Sequence, residues 1–163
     1  MKIEFMTPQA WPAVARIYEA GIATKNATFQ TEAPDWEAWD KAHRKDCRLI
    51  AKTGDKIVGW AALSPISSRC IYSGVAEVSI YIDPAYRQQG IGDQLMAALI
   101  KESERNGVWT LQSGVFPENT GSMRLHHKHG FRTLGIRERI GKMDDIWRDV
   151  AFLERRSKVT GID

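Results

Sequence analysis

The chain has 163 residues, of which 43% are hydrophobic and 26% are charged, and its formal net charge is +3. This composition is typical of a globular protein, and a domain of this length buries about 70% of its unfolded surface without needing disulfides. So small a net charge argues against a nucleic-acid partner, whose binding domains carry a steeper basic bias, and suits a small phosphorylated ligand. We expect a single domain over 1–163, because no repeat, low-complexity segment or long linker divides the chain.

The two cysteines and the N-terminal residues predict the compartment. Cys47 and Cys70 lack C-x-x-C spacing, which favours packed thiols in a reducing compartment over a disulfide. The N-terminus lacks the apolar core of a signal peptide, and no stretch approaches the roughly 20 apolar residues of a membrane span. We therefore predict a cytoplasmic protein with no membrane partner.

The first half of the chain predicts a strand, two helices and a hairpin. KIEFM is a short strand, and the apolar residues that follow it recur at helical spacing. Residues 24–35 are polar, contain a proline and show no period, so we expect a loop in which Phe29 is the one aromatic residue. Asp35 is a candidate N-cap for a short second helix, which we extend to His43. Two apolar runs around the Gly54-Asp55 turn predict the hairpin.

The second half predicts alternating strands and helices. The expected elements are a strand at 75–83, a helix at 90–107, a strand at 109–116, a helix at 119–130 and two strands at 131–140 and 146–154. This pattern predicts one α/β domain.

The turn YRQQGIG, residues 86–92, joins the strand at 75–83 to the helix after it. Its glycines would let an anion reach the free N–H groups and the partial positive charge of a helix N-terminus, and Arg87 would add a charged donor. A nucleoside triphosphate requires G-x-x-x-x-G-K-[ST], which is absent, and a dinucleotide requires a third glycine where Leu95 stands. Two interpretations remain: a cradle for the pyrophosphate of coenzyme A, and a tight turn without a ligand.

These residues resemble the signature of the GNAT acetyltransferase superfamily. RQQGIG is similar to its Q/R-x-x-G-x-G/A motif, and NTGSMRLHHKHGF is similar to its N-x-x-S-x-x-L-[YH]-x-K-x-G-F segment, at the expected separation. SPISSRCIYSGVAEVSIYIDPAYRQQGIG and WRDVAFLE resemble the phosphinothricin and methionine sulfoximine acetyltransferase branch, over residues 3–155. The resemblance implies a GNAT fold of the α/β (α+β) class. Such a fold has a central mixed, mostly antiparallel sheet of about seven strands flanked by helices, with a splayed parallel strand pair that binds acetyl-CoA.

The resemblance also implies which residues bind acetyl-CoA. The backbone of Ile80, Tyr81 and Ile82 would pair with the pantetheine arm like an added strand. Asn119 and Ser122 would lie near the pantetheine and the thioester, although Asn119 is also a good N-cap and the two roles are compatible. The pyrophosphate cradle would consist of Arg87 at the rim and the backbone of Gln88, Gln89, Gly90, Ile91, Gly92 and Asp93.

Two residues are implied to take part in the chemistry, Glu77 and His126. An amine attacks a thioester only when neutral, and an α-amino group with a pKa of about 8 is mostly protonated at pH 7, so the site needs a proton acceptor. Glu77 matches the glutamate of the branch, although strand alternation alone equally allows a solvent-facing glutamate. His126 stands where many members carry a tyrosine that protonates the departing CoA thiolate, and a CoA contact is the alternative role. No metal is expected, because His126, His127 and His129 do not share one helix face and no carboxylate or thiol motif joins them.

The implied substrate-binding residues are Phe29, Arg69, Tyr72 and Glu77. Arg69 and Tyr72 match the R-x-x-Y segment of the branch, in which a guanidinium would hold a substrate carboxylate bidentately. Phe29 would form an apolar wall. A solvated arginine and a loop aromatic packed on the core are the alternatives. Because Arg148 stands where some phosphinothricin enzymes carry histidine, phosphinothricin is not predicted to be the best substrate.

We therefore expect an N-acetyltransferase that moves the acetyl group of acetyl-CoA to the α-amine of a small L-amino acid or analogue by direct attack in a ternary complex. Candidate acceptors are methionine sulfoximine, methionine sulfone and phosphinothricin, which the sequence does not rank. Members of the branch are typically homodimers whose loops complete the neighbouring pocket, so we expect a homodimer. The alternatives are another amine, such as a protein N-terminus or a polyamine, and a non-catalytic acyl-CoA-binding protein.

Overall fold

The computed structural model describes residues 1–163, and its seven strands form one sheet in the order β1-β2-β3-β4-β5-β7-β6. The strands are β1 (Lys2–Phe5), β2 (Leu49–Thr53), β3 (Lys56–Pro65), β4 (Val75–Ile82), β5 (Thr110–Val115), β6 (Arg132–Met143) and β7 (Ile146–Arg156). The helices are α1 (Trp11–Ala23), α2 (Trp36–Ala42), α3 (Ile91–Arg105) and α4 (Thr120–Lys128), with single-turn 3₁₀ helices at Pro8–Ala10, Cys70–Tyr72 and Pro84–Tyr86. This mixed, mostly antiparallel sheet with flanking helices confirms the predicted fold class.

Helices cover both faces of the sheet. α3 buries Leu95, Met96 and Leu99 completely against one face, where they belong to the main core. On the other face, α1 and α2 pack a smaller cluster around Trp39 and Trp60, which are also buried. Because both faces are covered, the middle of β3 is an uninterrupted apolar run, as expected for a strand without a solvent face.

β4 and β5 are the parallel pair of the sheet, and they separate soon after they meet. They pair only over Val75–Glu77 of β4 and 110–112 of β5. Beyond Glu77, β4 continues to Ile82 with hydrogen bonds to β3 alone, while β5 continues to Val115 with pairing to β7 alone. The predicted splayed pair is therefore present, and it leaves a gap between the carboxyl ends of two neighbouring strands.

The last two strands are longer than the sequence pattern predicted. β6 runs to Met143 and β7 to Arg156, beyond the expected ends at 140 and 154. β6 extends because Asp144 and Asp145 both adopt positive φ angles, 49° and 65°, which close a two-residue hairpin turn, and β7 extends because Arg155 and Arg156 pair with β5. α2 is slightly shorter than predicted and ends at Ala42, with His43 in an extended conformation after it. None of the helices combines the length and the apolar character needed to cross a bilayer.

Candidate active site

Two adjoining cavities open where β4 and β5 separate. The larger cavity, of about 980 Å³, lies between the start of β4, β5, the segment after α1 and the β6–β7 hairpin. The smaller cavity, of about 620 Å³, lies between the end of β4, the N-terminus of α3 and α4. The same five residues line both, so one long ligand can extend from the smaller cavity into the larger: Ala27, Ile80, Tyr81, Asn119 and Ser122.

The N-terminus of α3 faces the smaller cavity with free backbone donors. Gly90 is the N-cap residue with a φ of 80°, and no side chain caps the first N–H groups of the helix. A Cβ built on Gly90 would meet nothing within 4 Å, so this side of the turn is open. All but one of the predicted cradle residues line the cavity, and the exception is Gln89. The turn therefore combines uncapped backbone donors with an open cavity, which is the arrangement that a phosphate cradle requires.

The smaller cavity is also positively charged. Arg87, Arg124 and Lys128 line it, and Lys128 Nζ lies 2.9 Å from Asp93 Oδ2. The guanidinium groups of Arg87 and Arg124 form no hydrogen bond or ion pair within the chain. Two free guanidinium groups beside a helix N-terminus form a site for a phosphorylated ligand.

The backbone of β4 beyond Glu77 is free on the side of the gap. Ile80 and Tyr81 line both cavities, and Ile82 lines the smaller one. At these residues β4 pairs with β3 on one side, and no strand pairs with its other side. An extended chain with amide groups can therefore add to this edge as a strand does. The free edge, the cradle and the cavity volumes together fit acetyl-CoA.

His126 is almost completely buried, with 1% of its surface exposed, and it lines the larger cavity. Its Nδ1 lies 2.7 Å from the carbonyl oxygen of Ser122, which can only accept, so Nδ1 carries the proton and Nε2 carries a lone pair. Nε2 is buried without a hydrogen-bond partner. Burial also lowers the pKa of His126. A neutral ring with an accepting Nε2 favours the cofactor-contact role over the predicted acid role.

Glu77 is the one carboxylate that lines the larger cavity. It stands at the last position of β4 that pairs with β5, opposite Gln112. Its side chain is only partly buried, because it borders the open cavity. Partial burial raises the pKa of Glu77, while a hydrogen bond from the Gln112 side chain acts in the opposite direction. A carboxylate with a raised pKa is a better match to a proton acceptor that works near neutral pH.

Phe29 lines the larger cavity from the loop after α1. Its ring meets Phe116 edge to face with centroids 4.9 Å apart. On the other side it lies against Gly141, where an added Cβ would come within 2.8 Å of Phe29 Cζ. The absence of a side chain at Gly141 therefore makes room for this aromatic wall.

Arg148 stabilises the segment 24–31, which carries Phe29, through hydrogen bonds to Lys25 and Asn26. Its Nη1 donates to the carbonyl oxygen of Lys25 at 2.9 Å and its Nη2 donates to Asn26 Oδ1 at 2.8 Å. Its guanidinium lies 3.9 Å from the centroid of Phe116. Asn119 also donates to the carbonyl oxygen of Asn26, at 3.2 Å. Arg148, which stands where some phosphinothricin enzymes carry histidine, thus joins β7 to the wall of the larger cavity.

We expect Arg148→Met to speed amide hydrogen exchange in residues 24–31 and leave exchange in α3 unchanged. The variant loses hydrogen bonds from a side chain that is only 15% exposed, and we expect the free energy of unfolding to fall by about 1–2 kcal/mol. The matched control is Arg132→Met, because Arg132 is 72% exposed and pairs only with Glu154. Equal exchange in the 24–31 segment of the two variants would contradict this role of Arg148.

Arg69 and Tyr72 do not line either cavity of their own chain. Both are exposed on the 3₁₀ turn at Cys70–Tyr72, where the Arg69 guanidinium lies 5.6 Å from the Tyr72 ring centroid. The predicted carboxylate clamp is therefore not assembled within a single chain, because no residue of the 66–74 connection lines either cavity.

His43 and Arg137 line the larger cavity, and no sequence motif indicated a role for either residue. His43 stacks on Trp39 at 4.0 Å, its Nδ1 lies 2.7 Å from the carbonyl oxygen of Trp39, and burial lowers its pKa. Arg137 belongs to β6, whose residues are almost all exposed. No local signal distinguishes either residue, because the cavity forms only when distant strands meet.

The histidines of α4 do not converge on a common point. His127 Nε2 lies 2.9 Å from Thr133 Oγ1, and His129 Nε2 lies 3.0 Å from Asp93 Oδ1, while His126 is bound to Ser122. The structure contains no group of three or more histidine, cysteine or acidic residues arranged to hold a metal ion.

Residues 11–131 match the family described as Acetyltransferase (GNAT) family. The chain belongs to the GNAT family. One relative of this GNAT protein is the L-methionine sulfoximine/L-methionine sulfone acetyltransferase of Salmonella typhimurium. The two are 26% identical over 94% of this chain and 93% of that protein. Another relative is the phosphinothricin N-acetyltransferase of Streptomyces coelicolor, which is 29% identical over 85% of this chain and 86% of that protein.

A solved structure shares the fold of this GNAT protein. The structure of yncA from Salmonella typhimurium with its cofactor acetyl-CoA superimposes with a TM-score of 0.91, at 25% identity, over 100% of this chain and 98% of that one. The predicted family and its fold are confirmed, and this protein is an acetyltransferase of the GNAT type.

Proposed function

We propose that this GNAT protein transfers the acetyl group of acetyl-CoA to the α-amine of a small L-amino acid or analogue, directly within a ternary complex. The observation that carries the proposal is the position of Glu77, a carboxylate with a raised pKa in a cavity that adjoins the phosphate cradle. The relatives that act on methionine sulfoximine, methionine sulfone and phosphinothricin support the substrate class.

Bound acetyl-CoA supplies an acetyl group activated as a thioester. Glu77 accepts a proton from the substrate ammonium, directly or through one water, and so restores the lone pair with which the nitrogen bonds to the acetyl carbon. The carbon–sulfur bond of the thioester then breaks, and coenzyme A leaves as a thiolate that takes up the second proton lost by the nitrogen. Asn119 and Ser122 line both cavities and contact the donor where the two cavities meet. The unpartnered Nε2 of His126 is available to accept a hydrogen bond from a bound ligand. No covalent acetyl-enzyme is needed, because Cys47 is buried and Cys70 lies outside both cavities.

The test is thiol release from acetyl-CoA by the purified protein with a panel of amines. The panel contains methionine sulfoximine, methionine sulfone, phosphinothricin, spermidine and a short peptide with a free N-terminal alanine. We expect saturable release with the amino-acid analogues and little with spermidine. Release with the peptide or spermidine alone would contradict the substrate class, and binding of acetyl-CoA without release with any amine would contradict catalysis.

We also propose that the protein is a homodimer, joined through the outer face of the β6–β7 hairpin. β6 is the edge strand of the sheet, and four large apolar side chains that line neither cavity are exposed on this hairpin: Leu134, Ile136, Ile146 and Trp147. Such a group on an edge strand is typical of an interaction surface. Arg69 and Tyr72 are exposed and line neither cavity of their own chain, so they are available for contacts with a second copy.

Sedimentation tests the dimer. We expect the wild-type protein to sediment as a dimer and Ile146→Asp to sediment as a monomer, because a buried unpaired carboxylate opposes association. The control is Val159→Asp, which places the same charge on an exposed residue of the C-terminal segment. A monomeric wild type, or dimers of equal stability in both variants, would contradict the assignment of this face.

A further inference from the structure

Arg137 is the one arginine or lysine that lines the larger cavity. Its guanidinium forms no hydrogen bond, ion pair or aromatic contact within the chain. The other five arginines of the β6–β7 hairpin all have such partners. Arg132 and Arg155 form ion pairs with Glu154 and Glu104, and Arg139 makes a cation–π contact with Trp147. Arg148 donates a hydrogen bond to Asn26, and Arg156 donates one to the carbonyl oxygen of Ser157. Arg137 is therefore free to bind a ligand.

The geometry of β6 brings Arg137 to the cavity. Arg137 pairs with Val150 on β7, and the register then breaks until Gly141 pairs with Arg148. An irregularity of this kind bends a strand and redirects its side chains. Ile140, Gly141 and Val150 line the same cavity, so the strand curves over it at this point.

The charges in the larger cavity match those of a zwitterion. Its lining contains one carboxylate, Glu77, and one guanidinium, Arg137. The two histidines of the lining, His43 and His126, have pKa values lowered by burial and so are neutral near pH 7. A free amino acid carries one ammonium and one carboxylate, and Glu77 already provides the acceptor for the ammonium proton.

We propose that Arg137 binds the carboxylate of the acceptor and thereby selects α-amino acids over amines that lack this group. The inference rests on the proposed function and names the residue that determines its substrate class. A guanidinium binds a carboxylate through two parallel hydrogen bonds, which fixes the orientation of the acceptor as well as its affinity. The fixed carboxylate holds the amine near Glu77, as productive transfer requires.

The experiment compares Arg137→Met with Arg132→Met, which removes a guanidinium from the same strand outside the cavity. Each variant is assayed with the best amino acid of the panel and with its carboxamide. We expect Arg137→Met to raise the KM for the amino acid about thirtyfold, because hydrogen bonds to a charged group are lost. The KM for acetyl-CoA and the KM for the carboxamide stay within about twofold of the wild type, and Arg137→Lys recovers part of the loss.

Calorimetry separates failure of this inference from failure of the proposed function. Methionine sulfone is titrated into each variant in the presence of coenzyme A, so the readout does not depend on turnover. Loss of binding in Arg137→Met alone supports the inference even if no variant releases thiol, an outcome that would overturn only the proposed function. Equal KM values and equal binding in Arg137→Met and Arg132→Met would overturn the inference, as would a loss seen instead in Arg69→Met. An absence of methionine sulfone binding to the wild type would overturn it as well.

Discussion

Glu77→Gln should lower kcat by about a hundredfold or more and leave the KM for acetyl-CoA unchanged, because positioned general bases contribute about 10²–10⁴ to rates. Glu77 works only when deprotonated, and burial raises its pKa. In the wild type, kcat/KM should therefore fall as the pH falls through this raised pKa. In the glutamine variant that decline should be absent, since no carboxyl group titrates there.

The stability of the variant separates a lost base from a damaged fold. Because the pKa of Glu77 is raised in the folded chain, its charged form opposes folding at a pH above that pKa. Removing the charge should leave the melting temperature equal or slightly higher at pH 7. The control is Glu19→Gln on the exposed face of α1. A Glu77→Gln enzyme that keeps the acidic decline of the wild type would contradict the assignment of Glu77 as the base.

Gly90→Ala should weaken binding of coenzyme A at least about tenfold, because the new methyl group stands where a phosphate oxygen approaches the backbone. The φ of 80° at Gly90 also strains any other residue, at a cost of about 1–2 kcal/mol. Calorimetry with coenzyme A measures the affinity, and thermal unfolding measures the strain.

Gly54→Ala is the matched control for this strain. Gly54 has a φ of 59° in the β2–β3 turn, an added Cβ there meets nothing within 4 Å, and it lines neither cavity. We expect both variants to lose similar stability and only Gly90→Ala to lose affinity. Similar affinities for coenzyme A in both variants would contradict the assignment of this turn as the cradle.

Local sequence signals were sufficient for the elements around the cradle. α3 begins directly after Gly90, and Asn119 Oδ1 caps α4 by accepting from the Ser122 N–H at 3.2 Å. Both features depend on neighbours within a few residues, so spacing and capping rules predicted them. The separation of β4 from β5 depends on residues more than thirty positions apart, and only the resemblance to a family implied it.

The residues around the proposed amine-binding cavity were less predictable, because they come together only through contacts between distant parts of the chain. Arg69 follows a family motif but lies outside the cavity of its own chain, and Arg137 follows none but lies within it. The position of Arg137 depends on an irregularity in the pairing of β6 and β7, which apolar periodicity does not encode. The sequence alone left Glu77 open between a base and a surface residue. The end of the β4–β5 pairing gives its position at the gap, and its role as the base is the proposal that Glu77→Gln tests.

The aromatic wall at Phe29 is anchored by the C-terminal hairpin through Arg148 and Gly141. Most of the donor cradle, by contrast, comes from one continuous stretch at residues 80–93 together with α4. In the proposed function, the hairpin therefore supports the acceptor side of the site, while the 80–93 stretch of the donor cradle lies outside the hairpin. Exchanging residues 137–150 between relatives should therefore retune which amine is accepted while the donor stays the same.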